Sequence, residues 1–125
     1  MTACPFCNLT PKRIVKAYDS VVVIRDGYPV SPGHTLVIPR SHVASFFELS
    51  IEEQAALLVA VRDAKLALDT EFHPDGYNVG VNVGAAAGQT VMHAHVHVIP
   101  RFKDDVPDPR GGVRHVIPGK GHYEP

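Results

Sequence analysis

Three histidines alternate with small apolar residues in the segment Gly88-Gln89-Thr90-Val91-Met92-His93-Ala94-His95-Val96-His97-Val98-Ile99-Pro100-Arg101. Because side chains alternate across a β-strand, this segment predicts a strand with all three histidines on one face and apolar residues on the other. Successive histidines would stand roughly 6.5 Å apart along such a strand. A phosphate group could therefore meet more than one imidazole, and imidazole supplies a nucleophile, a hydrogen-bond donor and a proton carrier near neutral pH.

Two other interpretations of the three histidines compete with a phosphate site. They could form the polar outer face of a half-buried strand, although Thr, Lys or Glu would serve that purpose equally well. They could also bind a metal ion, since imidazoles two residues apart on a strand are common ligands. The preceding Gly88-Gln89-Thr90 favours phosphate, because Gly88 lets the backbone approach closely and the next two side chains can donate hydrogen bonds to anionic oxygens.

The alternation matches the pattern His-φ-His-φ-His-φ-φ, where φ is apolar, and the chain resembles the histidine triad family of nucleotide hydrolases and transferases. The longer string from Gly88 to Arg101 is most similar to the dinucleoside polyphosphate hydrolase branch of that family, and the phosphoramidase branch carries a similar Gly-Gln-Ser string. Asp26, residues 32–39 and Asn82 fall where the family's nucleotide-binding segments lie. The resemblance spans about residues 4 to 120.

Length and composition bound the architecture. A chain of 125 residues that is 45% hydrophobic can bury one core and is too short for two ordinary domains. We therefore expect a single domain over residues 1–125. It would carry a cysteine knuckle at residues 1–10 and an arm rich in Pro and Gly at residues 103–125.

Charge and terminal sequence restrict the partners. A formal net charge of −1 argues against a dedicated nucleic-acid binder, which needs Lys and Arg to neutralise phosphates, but leaves small phosphorylated ligands possible. The first residues lack the basic start and apolar core of a signal peptide, and we expect no membrane partner. We therefore expect a cytoplasmic protein.

The first half of the chain predicts a strand meander followed by a helix. Strands are expected at residues 14–17, 20–25 and 34–38, separated by turn-forming residues. Ser50 and Glu53 form a capping box that starts a long helix, and Pro74 ends it near Phe72. Its buried face is expected to comprise Leu57, Val61, Ala64 and Leu68.

The second half predicts two more strands, at residues 77–83 and through the triad, and a short extended segment at residues 113–117. Together the elements indicate an α+β fold: an antiparallel β-sheet of about five strands with one long and one short helix. The family resemblance implies the same HIT-like architecture. It also implies a homodimer with the long helix and the strand at 77–83 near the two-fold axis.

The resemblance also assigns catalytic roles. His95 is the nucleophile that attacks the α-phosphorus and forms a covalent nucleotidyl-histidine, which water then hydrolyses. This requires one unprotonated ring nitrogen aimed in line, and a hydrogen bond from the other nitrogen to a backbone carbonyl would enforce it. His97 would donate to phosphate oxygens, and Gln89 and Thr90 would do so near the bridging or leaving oxygen.

The nucleotide-binding residues extend beyond this catalytic group. Asp26 lies in a turn and can accept hydrogen bonds from both ribose hydroxyls, and His34 begins a strand where family members place a histidine near the nucleotide. Asn82 could orient the catalytic face or bond the phosphate. An apolar cleft around Val22, Ile24 and Val37 is expected to hold the base. The full predicted binding set is Asp26, His34, Asn82, Gly88, Gln89, Thr90, His95 and His97.

Cys4 and Cys7 have the spacing of ligands in tetrahedral zinc sites. Related galactose-1-phosphate uridylyltransferases use a cysteine pair, a histidine after the Val-Ile-Pro strand and the first histidine of the catalytic motif. By this resemblance the remaining ligands of a structural zinc ion would be His42 and His93. The alternative is a pair of free surface thiols beside an exposed histidine.

Two classes of function follow from these residues. The first is an enzyme that cleaves at the α-phosphate of a purine dinucleoside polyphosphate or nucleoside phosphoramidate. The alternative is a noncatalytic purine-nucleotide sensor or interaction protein that uses the same pocket. The complete triad favours the enzyme, because binding alone does not require a nucleophile.

Overall fold

A five-stranded antiparallel sheet packs against one long helix in the computed structural model, which describes residues 3–125. The strand order is β1-β2-β3-β5-β4, and the predicted single-domain α+β fold is confirmed. The predicted short helix is present only as single 3-10 turns, the first two being Pro11–Arg13 and Phe46–Glu48. The regular elements are β1 (Ile14–Ala17), β2 (Val21–Arg25), β3 (Thr35–Pro39), α1 (Ile51–Phe72), β4 (Gly76–Gly80) and β5 (Val96–Arg101).

Helix α1 begins and ends where the sequence predicts. The Ser50 hydroxyl accepts from the backbone N–H of Glu53 (3.1 Å), and the Glu53 carboxylate accepts from the backbone N–H of Ser50 (3.1 Å). The helix ends at Phe72, and the residue that follows it, His73, adopts a left-handed conformation (φ 52°). No helix in the described part of the chain has the length and apolar character needed to cross a membrane. The buried residues of α1 are Leu57, Ala60, Ala64 and Leu68.

The two faces of the sheet have different covers. The inner face packs beneath α1, and its core includes Val21, Val23, Val37, Val96 and Val98. The outer face carries the buried residues Val22, Ile24, Leu36 and Ile38, which are covered by Phe6, Leu9 and Ile14. His97 pairs with Leu36 in register, so His97 lies on the outer face.

The predicted base cleft is wrong in one member. Val37 packs under the helix on the inner face, whereas Val22 and Ile24 belong to the outer face. These three side chains therefore cannot line one cleft. The reason is the alternation along β2 and β3, which sends neighbouring residues to opposite faces of a sheet that is buried on both sides.

The triad segment joins the sheet later than predicted. Strand β5 begins at Val96, so that His97 lies in the strand while His93 and His95 precede it. Extending the register would place Ala94 opposite Pro39, which has no N–H to donate. The Ala94 N–H instead donates to the Val43 carbonyl (2.7 Å).

Two other boundaries also differ from the prediction. Strand β4 ends at Gly80, which leaves residues 81–83 outside the sheet. The predicted extended segment at residues 113–117 is a 3-10 turn over Gly112–Val116. Gly111 (φ 92°) and Gly112 (φ 46°) turn the chain into it with conformations that favour glycine.

Candidate active site

His95 lies on the outer face, and a hydrogen bond to the nearby backbone fixes which of its ring nitrogens carries the proton. Its Nδ1–H donates to the backbone carbonyl of His93 (2.8 Å), which only accepts. The neutral ring therefore carries its lone pair on Nε2. This is the hydrogen bond that in-line attack by an imidazole requires.

Two aromatic rings flank His95 at its sides. The Phe6 ring meets it edge to face with centroids 5.0 Å apart, and the His97 ring does so at 5.0 Å. Edge-to-face packing of this kind holds a ring at a defined tilt. Phe6 was not among the predicted site residues, although its place between the two knuckle cysteines was a signal that could have identified it.

His34 and His97 form a directed chain of hydrogen bonds. His34 Nδ1 accepts from the Val30 N–H (3.2 Å), so in the neutral ring Nε2 carries the proton. That Nε2–H donates to His97 Nδ1 (3.0 Å). The neutral His97 ring then holds its own proton on Nε2, where it can donate to a ligand oxygen.

Burial keeps both members of this chain neutral. Desolvation lowers the pKa of His97, and the neighbouring His95 and His34 lower it further, against the opposing effect of Asp26. Desolvation also lowers the pKa of His34, again against Asp26. The tautomers described above are therefore those of the protein near neutral pH.

Asp26 lies beside this chain, just after β2. Its Oδ1 accepts from the Tyr28 N–H (2.8 Å), and its Oδ2 is 3.4 Å from His34 Nε2. Donor atoms of Asp26, His34 and His97 lie within 4.8 Å of one another, which is compatible with a metal ion. The chain of N–H donors already explains their proximity, and the second oxygen of the carboxylate retains capacity to accept from a hydroxyl.

The predicted phosphate-binding loop is braced mainly by Gln89. Its Nε2 donates to the carbonyls of Ala44 (2.7 Å) and Val91 (3.0 Å), and its Oε1 accepts from the Gly84 N–H (2.9 Å). Both amide hydrogens are thus already donated to carbonyls. Gly88 has a positive φ of 90° in the same loop, and the Thr90 side chain is exposed.

Asn82 lines a cavity of about 420 Å³ together with His34 and His97. The residues that line this cavity also include His115, which was not among the predicted site residues. A loop rich in Pro and Gly gives no periodicity from which the direction of one side chain can be derived, so no signal in the sequence pointed to this residue.

Cys4, Cys7, His42 and His93 converge at the amino-terminal end of the triad segment. Their donor atoms all lie within 4.8 Å of one another. His93 Nδ1 is 3.4 Å from Cys4 Sγ and 3.6 Å from Cys7 Sγ, and His42 Nδ1 is 3.2 Å from Cys7 Sγ and 3.1 Å from His93 Nδ1. With Zn–S and Zn–N bonds of ordinary length, the edges of a tetrahedral zinc site measure about 3.3 to 3.8 Å.

The donor set fits a closed tetrahedral zinc site in chemistry as well as in spacing. The His93 Nε2–H donates to the Pro39 carbonyl (2.8 Å), which leaves the Nδ1 lone pair facing the two sulfurs. Burial lowers the pKa of His93, which favours the neutral ring that a metal ion needs. The four residues predicted from the sequence are the four that the fold brings together.

Comparisons of this chain with known proteins, by sequence and by structure, find members of one family. The sequence profile of the HIT domain family matches residues 8–104. An uncharacterized HIT-like protein of Saccharolobus solfataricus is 40% identical over an alignment of 106 residues, which covers 82% of this chain and 76% of that protein. The bis(5'-nucleosyl)-tetraphosphatase (asymmetrical) of Schizosaccharomyces pombe is 42% identical over 77 residues, or 62% of this chain and 42% of that protein.

A solved structure extends the similarity to three dimensions. The zinc-bound histidine triad family protein from Mycobacterium smegmatis is similar in fold with a TM-score of 0.76 and 32% sequence identity. The match covers 85% of this chain and 84% of that chain.

Proposed function

Since the chain belongs to the histidine triad (HIT) family, whose members bind nucleotides, we propose that it is a nucleotide hydrolase or nucleotidyl transferase. It acts at the α-phosphate of a dinucleoside polyphosphate or a nucleoside phosphoramidate. A covalent nucleotide on His95 is the intermediate. Support for the first substrate class comes from the similarity to a relative named as a dinucleoside tetraphosphatase.

One observation carries the proposal: the Nδ1 proton of His95 is held by the His93 carbonyl, so the Nε2 lone pair is available. In the first step Nε2 bonds to the α-phosphorus, and the bond to the leaving group breaks with its electron pair. A leaving oxygen departs as a phosphate anion, and a leaving nitrogen takes up a proton from solvent water to depart as ammonia. In the second step a water oxygen bonds to phosphorus, the P–N bond returns its pair to Nε2, and the water releases a proton to solvent. His95 ends each cycle in its starting state.

The neighbouring residues take distinct roles in this scheme. His97 donates from Nε2–H to a phosphate oxygen, because His34 occupies its other nitrogen. Asp26 accepts from the ribose hydroxyls, and Asn82 and Thr90 contact the phosphates. Gln89 was expected to donate to phosphate as well. Since its amide hydrogens are engaged with Ala44 and Val91, we propose that Gln89 instead holds the Gly88 loop in shape.

A structural zinc ion held by Cys4, Cys7, His42 and His93 completes the proposal. Four protein donors leave no position for substrate, so the ion would cross-link the amino-terminal knuckle to the triad segment and take no part in bond breaking. The similarity to a zinc-bound family member supports this assignment. His93 is then a ligand, and His95 and His97 are the triad members that face phosphate.

A homodimer is part of the same proposal. Three apolar side chains on the face of α1 directed away from the sheet are exposed, namely Leu58, Val59 and Leu66. A second copy of the helix would cover them from water, which favours association. On the family resemblance, we expect the same helix and β4 to lie near the two-fold axis of this dimer.

The deciding experiment compares wild-type protein with His95→Ala. Diadenosine polyphosphates and adenosine phosphoramidate are incubated with each protein, and products are resolved by chromatography. The wild type should release a nucleoside monophosphate, and His95→Ala should lose turnover by a factor of about 10⁴ or more, as removal of a covalent nucleophile does elsewhere. Addition of inorganic phosphate distinguishes hydrolysis from phosphorolysis, because phosphate as acceptor yields a nucleoside diphosphate.

Binding separates the enzyme from the noncatalytic alternative. His95→Ala should still bind AMP nearly as well as the wild type, because the ribose contacts remain. His95→Gly supplies a second control, since added imidazole can replace the missing ring. Near-native turnover in folded His95→Ala would disprove the covalent mechanism, and a wild type that binds AMP without cleaving either substrate would favour the sensor.

A further inference from the structure

The outer face of the sheet is divided into two halves at the triad. Over β2 and β3 it is closed by the amino-terminal segment, through Phe6, Leu9 and Ile14. Over β4 and β5 it is bordered by the arm at residues 103–125, almost all of which lies beyond the part matched by the family profile. His97 lies in β5 opposite Leu36 of β3, at the border between the two halves.

A cavity of about 420 Å³ separates the arm from β4 and β5. His34 and His97 border it on one side, and Val113, His115 and Val116 of the arm border it on the other. Its size is in the range of pockets that hold small ligands. Any group seated in it would lie next to the Nε2–H that His97 presents.

The wall of this cavity is apolar and open. Val30, Val113 and Val116 line it and are 73%, 62% and 74% exposed. Ile99 contributes a further apolar side chain from β5. A concentration of exposed apolar surface beside polar catalytic groups is typical of a ligand site.

The arm keeps its shape without burying these valines. Arg114 donates to the carbonyls of Gly121 (3.0 Å) and Lys120 (3.1 Å), and its guanidinium lies over the Tyr123 ring (4.4 Å). The ring of His115 is held by the Arg110 carbonyl (2.6 Å). Polar contacts within the arm thus set its course, and its apolar side chains remain free for another molecule.

The glycines of the arm show that this course is specified closely. A Cβ at Gly111, which has a positive φ of 92°, would collide with the Gly121 carbonyl, and one at Gly121 would collide with the His115 ring. Only glycine permits these approaches. The wall formed by residues 113–116 is therefore a defined surface.

We propose that this cavity is the subsite for the leaving group, and that it binds the flat, apolar ring system which that group carries, such as the second base of a dinucleoside polyphosphate. This inference rests on the proposed function. Asp26, the proposed ribose acceptor, follows β2 and is not among the residues that line this cavity, so we assign the retained nucleoside to the end of β2 beside Asp26. The side over β4 and β5 is then left for the group that departs.

The test uses two substrates that differ in the leaving group alone. Diadenosine tetraphosphate releases a nucleotide with a base, and adenosine phosphoramidate releases ammonia. In the double variant Val113→Ser/Val116→Ser, kcat/KM for the tetraphosphate should fall by about 10- to 100-fold, the range expected when apolar contact is lost from a pocket. The phosphoramidate rate and the Kd for AMP should stay within about twofold of wild type.

Ile117→Ser is the matched control. Ile117 is the next residue of the arm and is also exposed, but it does not line the cavity, so both substrates should react at wild-type rates. Equal losses for both substrates, or no loss for either, would overturn the inference while leaving the proposed function intact. So would a change of the double variant from dimer to monomer in light scattering. Failure of the wild type to cleave either substrate would overturn the proposed function and this inference together.

Discussion

Two segments cover the outer face, the amino-terminal segment and the arm at residues 103–125, and they differ in how much apolar surface they bury. The amino-terminal cover packs Phe6, Leu9 and Ile14 onto residues of β2 and β3 that are at most 5% exposed. The arm contacts β4 and leaves a cavity lined by exposed valines. The first cover removes apolar surface from water, and the second keeps apolar surface available beside the triad.

The difference shows how one sheet face can supply both stability and a binding site. Burial of apolar side chains stabilises the fold roughly in proportion to the area removed from water. An open apolar wall contributes little to folding but can contribute to ligand affinity. Substitutions in the amino-terminal cover should therefore change stability, and substitutions in the arm should change substrate preference.

The largest effect on stability is expected from Cys4→Ser. If zinc links the knuckle to the triad segment, its binding free energy is part of the folding free energy, and loss of a ligand should cost several kcal/mol. Urea unfolding and elemental analysis of protein purified without a chelator or affinity tag measure the two consequences. The free energy of unfolding should fall strongly, whereas turnover per folded molecule should change little.

Chelator-treated wild type is the matched reference for Cys4→Ser. The two proteins should unfold at similar urea concentrations. Wild type that contains no stoichiometric metal after zinc-supplemented expression would return Cys4 and Cys7 to ordinary thiols. His93 would then act only by supporting the catalytic residues, and not as a metal ligand.

A pair of aromatic truncations compares the two covers directly. Phe6→Ala should lower the free energy of unfolding by about 2 to 3 kcal/mol, somewhat less than for a fully buried phenylalanine. Tyr123→Ala in the arm should cost less than about 1 kcal/mol, since it loses an exposed cation–π contact. Both are measured by urea unfolding with zinc in excess. Equal costs would show that the two covers do not differ in stability.

The smallest effect concerns the boundary between the halves, where His34 and His97 lie. Their pKa values are lowered by burial, so between the ordinary value of about 6.5 and the lower folded values the unfolded chain binds more protons than the folded chain. Stability is therefore fully present above pH 6.5 and falls as the pH drops, by at most about 1.4 kcal/mol per pH unit for each group.

His34→Gln removes one of these groups and should flatten the pH dependence of stability between pH 7 and pH 5. Thermal unfolding of wild type and variant over this range supplies the comparison. The contributions of groups distant from His34 cancel in the difference, and the change includes the part of the lowering of the His97 pKa that His34 causes. Parallel curves for the two proteins would show that His34 takes up its proton equally in the folded and unfolded chain.

Local signals in the sequence predicted most of the fold. The Ser50 capping box predicted the start of α1, and Pro74 predicted its end. The spacing of Cys4 and Cys7, with the family resemblance, predicted the four residues that form the cysteine–histidine cluster. In each of these cases a few residues with special chemistry determine the outcome.

Errors arose where both faces of a strand are buried. All four residues from Val21 to Ile24 are buried, so no alternation of polar and apolar residues shows which side chains share a face. Val37 was placed with the wrong neighbours for this reason. The use of Gln89 as a brace depends on the carbonyls of Ala44 and Val91, one of which is distant in sequence and could not be located from the pattern.

His93 connects the cysteine–histidine cluster to the catalytic histidine His95, so that binding at one can affect the other. Its ring lies in the cysteine–histidine cluster, and its carbonyl orients His95. Any ligand that orders this residue from one side reduces the entropy that remains to be lost on the other. Suppose that a metal ion raises the nucleotide affinity by a given factor because it favours the catalytic orientation of His95. By thermodynamic reciprocity, nucleotide must then raise the metal affinity by the same factor. On the proposed zinc assignment, the cysteine–histidine cluster would thereby affect substrate affinity without contacting the substrate.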